Sequence, residues 1–448
     1  MASEASIVSG SRRLLVRWAD GGQSEYPAVW LRDNCHCSKC YTAGSIHVRT
    51  LLMEHLDVDC TLTKAELATD SQSISVSWSD GQVRPNSPLP QLSSDTDYVS
   101  VTRTDDHAPL TCFTSPQLST DAQSISVSWS DGCSCSFPAD WLRQRAFEPG
   151  PQRQRAALHR PDTVTWGAEM AQSLPRLPYE LVMSKDAAML EALLNLERYG
   201  LVLLEGAPKR PGAVRAFCEK VAFMRTSHFG DEFTVRVKVD PNSIAYTGNN
   251  IEIHTDSCYY DYMPGIQLLH FIVQYEGKGG ETQLADGAKV CEDLRREDPQ
   301  AFQTLATVPV DFKNVTKSDN GQAHFKLLKA PVITTDSEGA LQCLRFTTSQ
   351  RDSYFSVPLD QVEPWYKAKK KLLNMLYDEK YIIKRKMNEG DMIVFDNVRL
   401  VHGREPLYES EKVGERHLEG GYIDWDEARS RRRVLQERLA GNPSGYGF

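Results

Sequence analysis

The second half of the chain is written in short β-prone runs: VRVKV from Val235, IQLLHFIVQY from Ile266, TQLAD from Thr282, CLRFTT from Cys343, DMIVF from Asp391 and HLEGGYID from His417. Turns rich in Gly, Pro, Asp and Asn separate them. Segments this short satisfy their backbone groups by pairing into sheets, which predicts a mainly β domain with flanking helices, a double-stranded β-helix or jelly roll. One helix interrupts the series, Pro364 to Glu379, with its lysines on the outer face and its leucines on the inner one. Ahead of the β runs, Ser184 is a candidate N-cap for a helix carrying Met189, Leu190, Leu193, Leu194 and Leu196, with Gly200 as its stop. A buried strand, Leu201 to Gly206, and a second helix, roughly Pro211 to Met224, follow.

The N-terminal part has a different chemistry. Residues 12 to 34 read as short strands, RRLLVRW and YPAVWLRD, joined at Asp20-Gly21-Gly22 and followed by Cys35-His36-Cys37-Ser38-Lys39-Cys40. Three thiols this close can face one ion, and thiolates favour Zn(II) in a closed four-coordinate site. The fourth ligand comes from an internal repeat: TDSQSISVSWSDG at Thr69 recurs as TDAQSISVSWSDG at Thr120, and only the second copy is followed by cysteines. Cys35, Cys37, Cys40 and Cys133 are therefore the expected structural zinc site, with Cys135 the substitute for the last position. The stretch between the copies, about 82–119, is rich in Pro, Ser, Thr and Asp and reads as a disordered insert. A tandem duplication and an error in assembling the coding sequence explain the repeat equally well.

A chain of 448 residues accommodates two or three domains. The expected division is a zinc-binding β domain over 1–145, a Pro- and Arg-rich extended linker over 146–180 and the jelly roll over 181–448. A formal net charge of −9 gives nucleic acid no footing, and the basic runs Lys369 to Lys371 and Arg431 to Arg433 read as solvated helix faces. No apolar run approaches the roughly 18 residues that span a bilayer. The N-terminus has Glu4 and no apolar secretory core, so the cytoplasm is expected, with a mitochondrial transit peptide as the alternative. Eleven cysteines, an odd number, also suit a reducing compartment.

Within the β region, His254-Thr255-Asp256 reads as a strand, on which side chains two apart point the same way. An imidazole and a carboxylate there grip a cation if a third ligand arrives, and His402 supplies it from a strand 146 residues beyond Asp256 (402 − 256). Two histidines and a carboxylate on one side of a metal suit non-haem Fe(II), because the other positions stay open for co-substrate and O2. Arg416 follows 14 residues after His402 (416 − 402). Its guanidinium suits the far carboxylate of a 2-oxo acid chelating the iron, with the Thr282 hydroxyl as partner.

His254-Thr255-Asp256 together with PGIQLLH, GGETQLADG, GDMIVFDNVRLVHGR and RHLEGGYIDWDEARSR resembles the gamma-butyrobetaine and trimethyllysine dioxygenase family of Fe(II)/2-oxoglutarate oxygenases. The likeness runs on into YPAVWLRDNCHCSKC and FPADWL and leaves out only about 82–119. HLEGGYIDWD and the lack of a clear mitochondrial leader bring the chain nearer the gamma-butyrobetaine branch. The resemblance implies iron on His254, Asp256 and His402, 2-oxoglutarate on Arg416, ascorbate to keep the iron ferrous, and a homodimer. It implies hydroxylation of gamma-butyrobetaine to L-carnitine by O2, with release of succinate and CO2. An aromatic cage for the trimethylammonium group would fall on Phe229, Phe233, Tyr246 and Tyr422, where the family's gamma-butyrobetaine members tend to carry Tyr and Trp at the first two positions. Ser243 and Thr347 or Thr348 stand where Asn is expected against the substrate carboxylate. A trimethyllysine or other quaternary-amine hydroxylase is the second expectation. A zinc-stabilised scaffold without activity is the third, against which the complete triad and Arg416 speak.

Overall fold

The computed structural model describes residues 1–8, 10, 12–37, 39–42, 48–68, 124–236, 248–318, 321–408 and 416–441. The chain forms two compact units, Met1–Ala157 and Leu158–Phe448.

The first unit is built from two similar pieces. Strands Ala2–Val8, Arg13–Trp18 and Gln23–Pro27 form one antiparallel sheet, and Leu62–Ala68, Ser124–Trp129 and Ser134–Pro138 form another. Alternation sets the buried face of each central strand: Leu14, Val16 and Trp18 in one, Ile125, Val127 and Trp129 in the other. Each hairpin runs into a one-and-a-half-turn helix, Ala28–Asp33 or Ala139–Gln144, with Pro27 or Pro138 at the N-cap. AVWLRD, expected as strand, is therefore helical; proline's fixed φ and missing N–H favour a helix start. The pieces also exchange side chains. Arg32 donates to Asp131 at 2.7 Å and lies 5.7 Å from the Trp129 ring, while Arg143 donates to Asp20 and lies 5.2 Å from the Trp18 ring. This second repeat, offset by 111 residues (125 − 14), is legible as Leu/Ile-x-Val-x-Trp-x-Asp-Gly followed by Tyr/Phe-Pro-Ala-x-Trp-Leu-Arg. The conspicuous near-identical copy hides it. Ala68 and Ser124 are cross-strand partners; the first copy and the expected insert over 82–119 lie outside the described residues.

The linker expected as extended contains the helix Pro149–His159. Its prolines fall in the first turn, where the missing N–H groups cost nothing.

The second unit is layered. A six-stranded sheet runs in the order Glu232–Arg236, His417–Ile423, Ile266–Val273, Met392–Asp396, Leu201–Glu205, Arg176–Pro178. A four-stranded sheet runs Ile251–His254, Leu400–Arg404, Thr282–Asp286, Ile383–Arg385. All pairings are antiparallel except the one between Leu201–Glu205 and Arg176–Pro178. Leu203, Leu269, Phe271, Ile393 and Phe395 from the first sheet meet Leu284, Ile383 and Leu400 from the second in one core. The outer face of the six-stranded sheet packs on Met189, Leu193 and Leu196 of helix Asp186–Tyr199 and on Val214 and Phe217 of helix Ala213–Val221. The outer face of the four-stranded sheet packs on helices Gly287–Glu297, Pro299–Thr307 and Leu359–Leu376 through Val290, Leu305 and Leu372.

Four local expectations change. Helix Asp186–Tyr199 begins without a side-chain cap, because the Ser184 hydroxyl donates back to the Glu180 carbonyl at 2.7 Å; Gly200 does end the helix, at φ 77°. The interrupting helix starts earlier, at Leu359, and holds Pro364 inside it. Lys369 is not on its outer face: it is 6% exposed, donates to the Thr347 carbonyl and lies 4.8 Å from the Phe346 ring. Burial lowers its pKa to about 7. Arg432 is wholly buried, donating to Glu197 at 2.5 Å and to the carbonyls of Leu158 and His159. In both runs one member of three turns inward, as the helical period of 3.6 residues dictates.

Candidate active site

His254 ends strand Ile251–His254, and His402 lies directly across from it on Leu400–Arg404. The ring centroids are 4.3 Å apart. Asp256 is not on the strand, as expected from the sequence, but in the turn just beyond, where Ser257 has φ 61°, the one positive φ outside glycine among the described residues. That turn brings Asp256 Oδ1 to 3.2 Å from His254 Nε2. Asn397 clamps it, accepting from the Asp256 N–H at 2.8 Å and donating to the carbonyls of Asp256 (3.1 Å) and Pro264 (3.0 Å). The Tyr422 hydroxyl donates to the other carboxylate oxygen, Oδ2, at 2.7 Å.

Three ligand atoms, one from each of His254, Asp256 and His402, lie within 4.8 Å of one another. His254 Nδ1 is engaged with the Glu252 carbonyl at 2.8 Å, which leaves Nε2 toward the carboxylate. The buried Nδ1 of His402 has no hydrogen-bond partner among the described residues. Burial, with His254 beside it, pushes His402 down to about 3, so it stays neutral. Burial opposes the Asp256 charge, yet the hydrogen bond from His254 outweighs it and holds that carboxyl low. A neutral imidazole, a second imidazole and a committed carboxylate form a donor set that fits a divalent first-row cation.

The cluster opens onto a cavity of about 370 Å³. At one end stands Arg416, 5% exposed, with a buried Nε that has no partner among the described residues. Burial and the neighbouring Arg404 charge pull its pKa down to about 9. Thr282 lines the same wall and is the cross-strand partner of Arg404. A guanidinium buried this deeply asks for an anion. The other end is aromatic: Phe233 lies 5.4 Å from Tyr422 and 6.3 Å from Phe229, and all three line the cavity. Thr347 and Thr348 line it too. Ser243 and Tyr246 lie outside the described residues.

Three contributors were missed in the sequence. Tyr259 lines the cavity beside the Asp256 turn. Asn397 lies inside the quoted GDMIVFDNVRLVHGR, whose Asp-Asn turn was a signal for it. Gln267, the cross-strand neighbour of Tyr422, is 1% exposed, lines the cavity and has a side-chain oxygen without a partner among the described residues. Its place in PGIQLLH carried no distinguishing signal.

In the first unit, the sulfurs of Cys35, Cys37 and Cys40 lie 3.7, 3.7 and 4.0 Å from that of Cys133. A tetrahedral site with Zn–S near 2.3 Å has edges of about 3.8 Å. Arg32 donates to Cys40 at 3.2 Å. Cys135 accepts from the His36 N–H at 3.2 Å and is not among the four grouped sulfurs.

Comparison with known proteins adds the family. Residues 157–422 match the model of the taurine catabolism dioxygenase TauD, TfdA family, and residues 6–85 match the gamma-butyrobetaine hydroxylase-like N-terminal family. Human gamma-butyrobetaine dioxygenase is 33% identical over 441 residues, covering 97% of each chain. The chain belongs to the gamma-butyrobetaine dioxygenase family. The Pseudomonas sp. (strain AK-1) gamma-butyrobetaine dioxygenase is 30% identical, covering 97% of this chain and 96% of its own. The mitochondrial trimethyllysine dioxygenase of Bos taurus is 24% identical, covering 91% and 82%. The protein is an enzyme of the 2-oxoglutarate-dependent dioxygenase class, which implies iron, 2-oxoglutarate, O2 and a small-molecule substrate. Among the described residues no helix is long and apolar enough to cross a membrane.

Proposed function

We propose that this dioxygenase hydroxylates gamma-butyrobetaine to L-carnitine while 2-oxoglutarate is converted to succinate and CO2. The observation that carries the reading is one cavity lined by the His254, Asp256 and His402 cluster, a buried guanidinium and the aromatic rings of Phe229, Phe233 and Tyr422. Iron and 2-oxoglutarate bound there would activate O2, one oxygen atom of which would enter the substrate C–H bond and the other the succinate. Arg416, with Thr282, holds the far carboxylate of the oxo acid and is neutralised by it. His254, Asp256 and His402 hold the iron on one side only, leaving the cavity side for the reactants. Phe229, Phe233 and Tyr422 face the trimethylammonium group, which has no N–H to donate and is recognised by ring faces; the family resemblance adds Tyr246 to this set. Thr347 or Thr348 meets the substrate carboxylate, a role the family resemblance also gives to Ser243. The apolar lining, with Leu269, Phe271 and Leu418, keeps bulk water from the reacting carbon.

The two largely antiparallel sheets facing each other across a shared core support the jelly-roll reading of 181–448, with 1–145 as a zinc-binding domain. Cys35, Cys37, Cys40 and Cys133 hold structural Zn(II), and the cytoplasm keeps those thiols reduced. Ascorbate maintains the ferrous iron, and the enzyme works as a homodimer. A trimethyllysine hydroxylase is the second reading; Phe at 229 and 233, the weakest of the cation–π partners, favours it by departing from the gamma-butyrobetaine pattern. Aerobic turnover with the two amines side by side, products identified by mass, tests the choice. Hydroxylated gamma-butyrobetaine with matched succinate is expected; hydroxytrimethyllysine alone overturns the first reading in favour of the second.

A further inference from the structure

We infer that the Tyr422 hydroxyl is a positioning group for the metal site: it fixes the Asp256 carboxylate in the orientation that presents a single oxygen to the cation. Tyr422 is 2% exposed and its hydroxyl donates to Asp256 Oδ2 at 2.7 Å, while Oδ1 faces His254 Nε2 at 3.2 Å. One carboxylate oxygen is thus occupied and the other is left for the metal. A carboxylate terminates in a broad, nearly two-fold torsion. Without a partner on Oδ2 it can swing until both oxygens chelate, which takes a coordination position the oxo acid or O2 needs. The Asn397 clamp fixes the backbone of Asp256 but does not reach its carboxylate.

The sheet register explains why a tyrosine can do this. Residues 416, 418 and 422 of the strand region all line the cavity, and the Tyr422 ring lies 5.4 Å from Phe233. Gly420 provides the room: a Cβ there would come within 2.3 Å of the Phe233 ring. The tip of the Phe233 ring therefore sits over the glycine, beside the Tyr422 ring. The ring belongs to the substrate wall and the hydroxyl to the metal ligand. The hydroxyl's role concerns the cation alone; the ring's role rests on the quaternary-amine reading above.

Two variants separate them. Tyr422→Phe keeps the ring and removes the hydroxyl; Tyr422→Leu removes both. Affinity of the full-length protein for Mn(II), an oxidation-resistant probe, is read by electron paramagnetic resonance of the free ion. The thermal midpoint of the metal-free protein serves as the folding control. Tyr422→Phe is expected to weaken Mn(II) about tenfold, the usual effect of losing a buried hydrogen bond to a charged group. Its metal-free midpoint should stay near wild type, and gamma-butyrobetaine binding to the Mn(II) and 2-oxoglutarate complex should weaken by only about twofold, the difference between a tyrosine and a phenylalanine face. Tyr422→Leu should lose both affinities. Unchanged Mn(II) affinity in Tyr422→Phe overturns the inference, as does an equal loss of metal-free stability, which would make the bond merely structural. The Mn(II) measurement involves no amine, so it stands or falls apart from the substrate reading. Failure of wild type to bind gamma-butyrobetaine overturns that reading and the ring's part in this one.

Discussion

The two ligand clusters gather their side chains in opposite ways. Cys35, Cys37, Cys40 and Cys133 turn four sulfurs on one another, with Arg32 donating to one of them. His254, Asp256 and His402 offer only three groups, with neighbours holding His254 Nδ1 and Asp256 Oδ2, and they open onto a cavity. Four ligands that close on a metal suit a structural ion; three that leave a side open suit one that must bind reactants. The first arrangement ties distant chain segments together, since Cys133 lies 93 residues beyond Cys40 (133 − 40). The second needs a rigid sheet to aim its groups.

The strongest way to break this contrast is Asp256→Ala. Substrate-coupled 2-oxoglutarate decarboxylation should fall by about 10³-fold or more, because iron loses its one charged ligand, while zinc content and the circular dichroism of the fold stay at wild-type values. Retained turnover with full iron would contradict the open-site assignment. The reciprocal change, Cys133→Ser, should remove nearly all the zinc on metal analysis and lower the first transition in a thermal melt. Iron bound to the protein that remains folded should be unaffected. Unchanged zinc would move the fourth ligand to Cys135, and lost iron would mean the clusters are not independent.

What the sequence disclosed follows the same division. Ligand chemistry is legible because few residue types can hold a metal, and His254, Asp256, His402 and the cysteines come together in space as their spacing suggested. Geometry that depends on packing was not legible. The strand periodicity put His254 and Asp256 on one strand, but a left-handed turn at Ser257 does the aiming. Lys369 and Arg432 look like any exposed base within a charged run, and only the surrounding core shows that each points inward. Tyr422 was readable as an aromatic wall; nothing in its neighbours along the chain reveals that its hydroxyl reaches Asp256 from another strand. AVWLRD alternates well enough for a strand until Pro27 starts it as a helix.

A smaller effect tests what the open cluster opens onto. Arg416→Met replaces the buried guanidinium with a side chain of similar length that needs no anion. The KM for 2-oxoglutarate should rise about 10²-fold, as expected from losing two charge-assisted hydrogen bonds. Metal-free stability should hold or rise, because a buried charge without a carboxylate partner disappears. A rise in the amine's KM with the oxo acid's unchanged would exchange the two ends of the cavity.

The finest adjustment concerns the aromatic end. Phe229 is only partly buried and lines the cavity beside Phe233, so a hydroxyl added at its ring edge has room. Phe229→Tyr makes the ring a better partner for a cation, and one such face differs by about 0.5 kcal/mol, roughly twofold in affinity. The KM for gamma-butyrobetaine should drop by about that factor, with kcat and the KM for 2-oxoglutarate unchanged. The neutral carbon isostere 5,5-dimethylhexanoate has the same shape without the charge and should gain nothing. An equal gain for both compounds would assign the effect to packing, and a loss for both would place the ammonium group away from residue 229, leaving Phe233 and Tyr422 as its wall.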